Sequence, residues 1–232
     1  MLSKAEIKDI RALSQKKFRD ERRLFVVEGE KLVAEAIASD LEVVRVLKQE
    51  EIGQEAMSRI SMLSTPSPVL AVVRMPEPAS VEVDPAVLTI ALDSLRDPGN
   101  VGTIIRLADW FGIRHIIASA DTVDIYNPKV VQATMGAIFR VKFSYCDLPA
   151  VLAGVSCPIY GTYLEGDNIY DSELSPNGVI IMGSESNGIS GGVGKCVTRK
   201  ITIPSISCGR TVCESLNVAA AAAVICSEFR RR

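Results

Sequence analysis

Val87-Leu88-Thr89-Ile90-Ala91-Leu92-Asp93-Ser94-Leu95-Arg96-Asp97-Pro98-Gly99-Asn100-Val101-Gly102-Thr103-Ile104-Ile105-Arg106 decides how the chain folds. The apolar run over residues 87–92 is the length of a buried strand and too short for a helix. It stops at Asp93, and Asp97-Pro98-Gly99 spells a turn. Asn100 is placed to cap the helix that follows, in which Val101, Ile104, Ile105, Ala108 and Phe111 recur at helical spacing and Gly112 ends the run. Strand, turn and amphipathic helix in succession are the building unit of an α/β layer fold. At about 100° per residue, Arg106 falls off the apolar stripe, near the carboxyl rim of the sheet where such folds bind ligands.

Outward from this unit, short apolar runs at residues 115–118, 139–143, 159–163, 179–182 and 201–203 alternate with helical stretches. That pattern predicts a mostly parallel sheet covered on both faces. Upstream, residues 3–13 have helical periodicity, and strands are expected at 24–27, 43–47 and 69–73. A helix containing Leu32, Val33, Ala36 and Ile37 and a polar helix over 50–60 lie between them. Met75-Pro76-Glu77-Pro78 disfavours helix and reads as a semi-rigid spacer. The expected organisation is a small α/β domain over residues 1–75, a linker over 76–84 and a larger α/β domain over 85–232.

Composition narrows the function. The chain has 232 residues, of which 47% are hydrophobic, enough for one large domain or two small ones. With 26 Lys and Arg against 28 Asp and Glu, it is neither a disordered polyelectrolyte nor a uniformly basic coat for nucleic acid. The charge is uneven, however. Residues 1–31 hold nine basic side chains against six acids, and residues 195–232 hold seven against two, so two basic ends suit a polyanionic partner. Aromatics at 5% argue against a base-stacking platform. No apolar run reaches the roughly 20 residues of a membrane-spanning helix, and the charged start is not a signal peptide. Six cysteines without a Cys-x-x-Cys pair, and a single histidine, argue against a zinc site and for reduced cytosolic thiols.

Two further segments carry chemistry. Ile180-Ile181-Met182-Gly183-Ser184-Glu185-Ser186-Asn187-Gly188 runs a strand into a glycine-rich loop. The continuation through Gly194-Lys195-Cys196 fails as a phosphate loop, because Ile189 stands where the first glycine is needed and Cys196 replaces Ser or Thr. No dinucleotide fingerprint is present either, which counts against a nucleotide-dependent small-molecule enzyme. Glu185, just past a strand, is a candidate acid, base or arginine-orienting group. Ile201-Thr202-Ile203-Pro204 is followed by a polar loop and then Cys213-Glu214-Ser215-Leu216-Asn217-Val218-Ala219-Ala220, in which Ser215 is placed to cap an alanine-rich helix.

Together the D-P-G-N-V-G-T-I-I-R, M-G-S-E and I-P…E-S-L-N-V-A stretches, in this order, resemble the SpoU (TrmH-like) family of SPOUT methyltransferases over residues 85–229. The head, with Lys16-Lys17-Phe18-Arg19 and Leu24-Phe25-Val26-Val27-Glu28-Gly29, is similar to that family's substrate-binding domain. The resemblance implies a parallel α/β catalytic domain with a deep trefoil knot, a homodimer, and 2'-O-methylation of a ribose in tRNA or ribosomal RNA in the cytoplasm. S-adenosylmethionine would contact Thr162, Leu164, Gly183, Ile203 and Leu216. Arg106 would be the main catalytic residue, with Asn100, Glu185, Ser215 and Asn217 positioning it, the hydroxyl or the cofactor carboxylate. Arg11, Lys16, Lys17, Arg19, Arg22 and Arg23 are the candidate RNA contacts. The stretch between Pro204 and Ser215 is longer than is usual in the family, by Cys208-Gly209-Arg210-Thr211. The other reading is a non-catalytic RNA-binding protein on the same fold; the full Asn100, Arg106, Glu185 and Asn217 set weighs against it.

Overall fold

The computed structural model describes residues 2–78, 80–206 and 215–231. The chain divides into two compact units, one comprising the chain up to Pro78 together with Asp124–Arg140, the other the remainder.

The first unit runs α1 (Lys4–Ala12), α2 (Lys16–Arg22), β1 (Leu24–Glu28), α3 (Glu30–Ala38), β2 (Val43–Lys48), α4 (Gln49–Ile52), α5 (Gln54–Ile60) and β3 (Val69–Arg74). The strands form an antiparallel sheet in the order β1-β3-β2. Successive strand residues face opposite sides, so this sheet has two cores. Val26, Leu70 and Val72 meet Ile7, Ile10, Met57 and Ile60 on one face. Phe25, Val27, Ala71 and Val73 meet Leu32, Val33 and Ala36 on the other. Tyr126, Val131, Ile138 and Phe139 complete that second core. This is why Asp124–Arg140, expected in the larger domain, belongs to the first unit. The same packing moves the strand expected at 139–143: Ala137–Phe139 is a turn of 3-10 helix, and the strand starts at Lys142. Ser3 caps α1 through a reciprocal bond with Glu6, matching the expected helix. The expected helix over 50–60 breaks at Gly53, whose φ of 87° only glycine adopts at little cost.

The second unit contains β4 (Leu88–Asp93), α6 (Pro98–Trp110), β5 (His115–Ala118), β6 (Lys142–Tyr145), α8 (Leu148–Ala153), β7 (Ile159–Asn168), β8 (Gly178–Gly183), α9 (Gly191–Gly194), β9 (Arg199–Thr202) and α10 (Val218–Arg231). Helix α7 (Pro128–Thr134) lies in the first unit. The six strands pair in parallel in the order β6-β5-β4-β8-β7-β9. Every residue of β4 is buried, which explains a run that is apolar but for Thr89 before it ends at Asp93. Val81 and Val83, expected in the linker, pack against Ala91, Ile117 and Ile181 of this unit's core.

Strand order creates a switch point. From β4 the chain moves outward to β5 and β6, whereas β8 is followed by β9 on the opposite side. The connections leaving β4 and β8 therefore part in opposite directions from adjacent strands, opening a crevice at their carboxyl ends. Asp93 and Gly183 lie side by side at that edge.

Candidate active site

Two chain segments enter the crevice from the strand ends. After β4, Asp97 rather than Asn100 caps α6: its carboxylate accepts from the Asn100 backbone N–H at 2.8 Å. The reason is Pro98, which is tolerated in the first turn because it has no N–H to leave unpaired, so the cap must precede it. Asn100 thereby keeps its side-chain amide for other work. After β8, the loop closes on itself through paired backbone bonds between Ser184 and Gly188. A Cβ at Gly183 would lie 2.3 Å from the Gly188 carbonyl carbon, so only glycine permits the fold-back. The Ser190 backbone N–H donates to the buried Asp93 carboxylate at 2.6 Å and ties this loop to the end of β4.

The third segment arrives from α10. Asn217, not Ser215, is the helix cap: its side-chain oxygen accepts from Ala219 N at 2.9 Å and from Ala220 N at 3.2 Å. Ser215 lies two residues upstream and is exposed. With its oxygen committed to the helix, Asn217 presents its NH₂, which donates to Asn100 Oδ1 at 3.0 Å. Asn100 then donates through Nδ2 to Glu185 Oε1. The cap thus sets the direction of a three-residue chain, Asn217 to Asn100 to Glu185, across the switch point. It orients the Glu185 carboxylate at an exposed edge.

Arg106 is not part of this chain. It is exposed on α6 and has no hydrogen bond or ion pair among the described residues. Six residues beyond Asn100 it stands about 9 Å further along the helix axis. Trp110, one turn on along the same flank, is 84% exposed.

Of the residues expected around a cofactor, Thr162 and Leu164 lie in β7, Gly183 ends β8, Ile203 follows β9 and Leu216 precedes α10. Thr162 Oγ1 donates to the Ile181 carbonyl at 2.8 Å, and Thr202 Oγ1 donates to the Leu164 carbonyl at 3.1 Å. Large apolar side chains stand open in these segments: Leu164 is 72%, Ile206 89% and Leu216 56% exposed. Ile203, three residues before Ile206, and Gly183, at the end of β8, are half-buried. An edge combining main-chain polar groups with uncovered aliphatic side chains fits a ligand that has a planar apolar ring and polar substituents. Residues 207–214, with the Cys208-Gly209-Arg210-Thr211 lengthening, lie outside the described residues.

The candidate RNA contacts of the first unit are differently placed. Arg19 is 2% exposed, and its guanidinium donates to Asp124 and to the Leu13 and Ser14 carbonyls. It is a core residue and not a phosphate contact, since burial denies it to any external anion. Arg11 donates to the Ser61 carbonyl, Arg22 pairs with Asp9 at 3.0 Å, Lys16 pairs with Asp20, and Arg23 donates to the Pro76 carbonyl. Lys17 stands over the Phe18 ring at 5.9 Å.

Among the described cysteines, Cys157 and Cys226 are buried and Cys146 and Cys196 half-buried, all as free thiols. Burial pushes Cys226 up to about 12. No cluster of potential metal ligands occurs among the described residues. No helix there is long and apolar enough to cross a membrane.

Residues 87–227 match the model of the SpoU rRNA methylase family. The chain belongs to that family. Residues 4–73 match the MRM3-like substrate binding domain. Among relatives of this SpoU protein, the 23S rRNA (guanosine(2553)-2'-O)-methyltransferase RlmP of Bacillus subtilis is 29% identical, over 97% of this chain and 96% of that one. A TrmH-family structure from Porphyromonas gingivalis superposes with a TM-score of 0.88 at 36% identity, covering 100% of this chain and 99% of that one. An AdoMet-bound rRNA methyltransferase from Sinorhizobium meliloti superposes with a TM-score of 0.87 at 28% identity, covering 100% and 96%.

Proposed function

We propose that the chain transfers a methyl group from S-adenosylmethionine to the 2'-oxygen of a ribose in ribosomal RNA. The observation that carries this reading is the Asn217–Asn100–Glu185 chain at the switch point, beside an edge suited to an adenosyl group. The RNA substrate class follows the family and the named activity of the Bacillus subtilis relative.

Bound S-adenosylmethionine supplies an electrophilic methyl group on a sulfonium. Thr162, Leu164, Gly183, Ile203 and Leu216 would hold it, through backbone groups and the exposed aliphatic side chains. The ribose hydroxyl is a poor nucleophile, so the protein must align its oxygen and accommodate the charge that develops there. Glu185, with one oxygen held by Asn100, is positioned to orient the hydroxyl and to accept its proton as the methyl transfers, S-adenosylhomocysteine being the leaving thioether. Arg106 binds the adjoining phosphate and stabilises the developing alkoxide. A guanidinium, with a pKa above about 12, is not a base at neutral pH.

The exposure of Arg106, away from the amide chain of its own subunit, supports a homodimer in which α6 and α10 meet a second copy. In that arrangement Arg106 of one subunit serves the site of the other. The trefoil knot belongs to the same reading. So does a cytoplasmic location, and so does a division of labour in which the first unit, with Asp124–Arg140, binds RNA and the second catalyses.

Arg106→Ala tests the assignment. The variant keeps S-adenosylmethionine affinity by calorimetry and loses most turnover on ribosomal RNA. A methyl-transfer rate within a few-fold of the parent would overturn the role of Arg106. Mapping ribose methylation by mass spectrometry, with and without the protein, identifies the nucleotide.

A further inference from the structure

The cations expected to hold RNA in the first unit are largely committed to partners inside that unit. The second unit has one that is presented differently. The loops that follow β4 and β5 are laced together into a platform. Ser94 N donates to Ser119 Oγ at 2.8 Å, and Ser119 Oγ donates to Asp121 Oδ1 at 2.7 Å. Thr122 Oγ1 donates to the Leu92 carbonyl at 3.3 Å, and Val123 N donates to the Leu95 carbonyl at 2.9 Å. Ser94 is held in the left-handed region, with φ of 61°. A non-glycine residue adopts that conformation at a cost that the surrounding bonds must offset.

The platform separates two neighbours completely. Leu95 is 0% exposed, whereas the Arg96 side chain is 79% exposed. Arg96 faces Asp121 with Nη2 and Oδ2 3.5 Å apart, both groups wet. Such a pair is weak and exchangeable. Hydrogen bonds from Ser119 and Ser94 hold the Asp121 carboxyl below the usual carboxylate range, so it is charged. The neighbouring Asp97 carboxylate is already engaged by Asn100 N. Arg96 thus projects four residues upstream of Asn100, at the carboxyl edge shared with Glu185, with a single loosely held counter-ion.

We infer that Arg96 binds a phosphodiester of the RNA strand flanking the methylated nucleotide, and that Asp121 competes with that phosphate for the guanidinium. Asp121 keeps Arg96 extended and solvated when RNA is absent, and it limits affinity when RNA arrives. The inference rests on the RNA-methyltransferase reading above, and it adds to it a backbone contact that positions the strand.

The test uses the full chain with large-subunit ribosomal RNA transcribed in vitro. Arg96→Ala raises the KM for RNA by about tenfold, the loss of one charge-assisted contact, and the change falls in KM rather than kcat. Arg96→Lys recovers most of it. The slope of log affinity against log salt becomes shallower by about 0.7 to 0.9. Asp121→Asn, which keeps an oxygen for Ser119, moves KM the other way, lowering it about two- to threefold. Parent values of KM and salt slope in Arg96→Ala would overturn the inference, as would weaker RNA binding in Asp121→Asn. The salt slope needs no turnover. A parent that binds this RNA without methylating it would count against the proposed function, and the slope would still decide the role of Arg96.

Discussion

Replacing Arg19 by Met should unfold the first unit far more readily than a surface substitution would. The Arg19 and Asp124 side chains are 2% and 11% exposed, and the guanidinium holds that carboxylate through two nitrogens. It also satisfies the Leu13 and Ser14 carbonyls, each at 2.8 Å. Methionine fills similar volume but leaves a nearly buried carboxylate with no counter-charge, held by the Tyr126 backbone N–H, and strips the guanidinium from two carbonyls. Removing one partner of a buried pair costs about 3–5 kcal/mol, and the orphaned carbonyls place this site in the upper part of that range. Against a total stability of about 5–15 kcal/mol, the midpoint should fall by roughly 8–20 °C. The chain's single tryptophan, Trp110, lies in the second unit, so its fluorescence does not report on this change. Urea unfolding followed by far-UV circular dichroism, with hydrogen exchange at β1 and β3 amides, does. Arg19→Met combined with Asp124→Leu should recover most of the loss, because an apolar pair carries no stranded charge. A loss below about 1 kcal/mol would refute the reasoning. So would parent stability combined with a shallower salt dependence of RNA binding, which would make Arg19 an RNA contact after all.

Other perturbations separate the parts of the site. Asn100→Asp is nearly isosteric but removes the donor to Glu185 and sets two carboxylates together; turnover should fall by about 10²- to 10³-fold with the fold intact, and a rate within tenfold of the parent would count against the amide chain. Gly183→Ala forces a Cβ into the Gly188 backbone 2.3 Å away, so calorimetry should show S-adenosylmethionine affinity lost; unchanged affinity would mean the loop is not part of that edge. Burial, aided by Lys142, holds His115 below its usual 6.5, so the unfolded chain takes up its proton first. The stability this contributes is full above pH 6.5 and is lost as pH falls through the folded value, so the parent's thermal midpoint should drop more between pH 7.5 and 5 than that of His115→Gln. Parallel pH profiles would exclude the histidine as the cause.

The strand–turn–helix from β4 to α6 could be read from sequence because its signals are local. An apolar run, a proline and a helical stripe act within a few residues of one another. Two capping details, one at α6 and one at α10, differ in the structure. Pro98 could have shown that Asp97 is the cap, and Asn217, directly before the alanine-rich run, could have shown that Ser215 is not. Helix α2 was hidden for a different reason. Lys16–Arg22 has no apolar stripe, and its buried face is Arg19, whose partner lies 105 residues away. The same distance hid the membership of Asp124–Arg140 in the first unit, because strands and helices give no sign of which sheet face they will cover.

Sequence by itself determined the alternation of elements, the parallel sheet and, through three ordered motifs, the family and its set of polar residues. These follow from local backbone preference and side-chain period, which need no knowledge of distant chain. Tertiary structure alone decided which charges are free. Arg19 and Arg96 look alike in the sequence, yet one is sealed against a carboxylate and the other stands in water. It also decided that Asn217 reaches Asn100 and Asn100 reaches Glu185, residues 117 and 85 positions apart. Hydrogen bonding and burial act over a few ångströms of space, and only the folded chain brings such positions within that range.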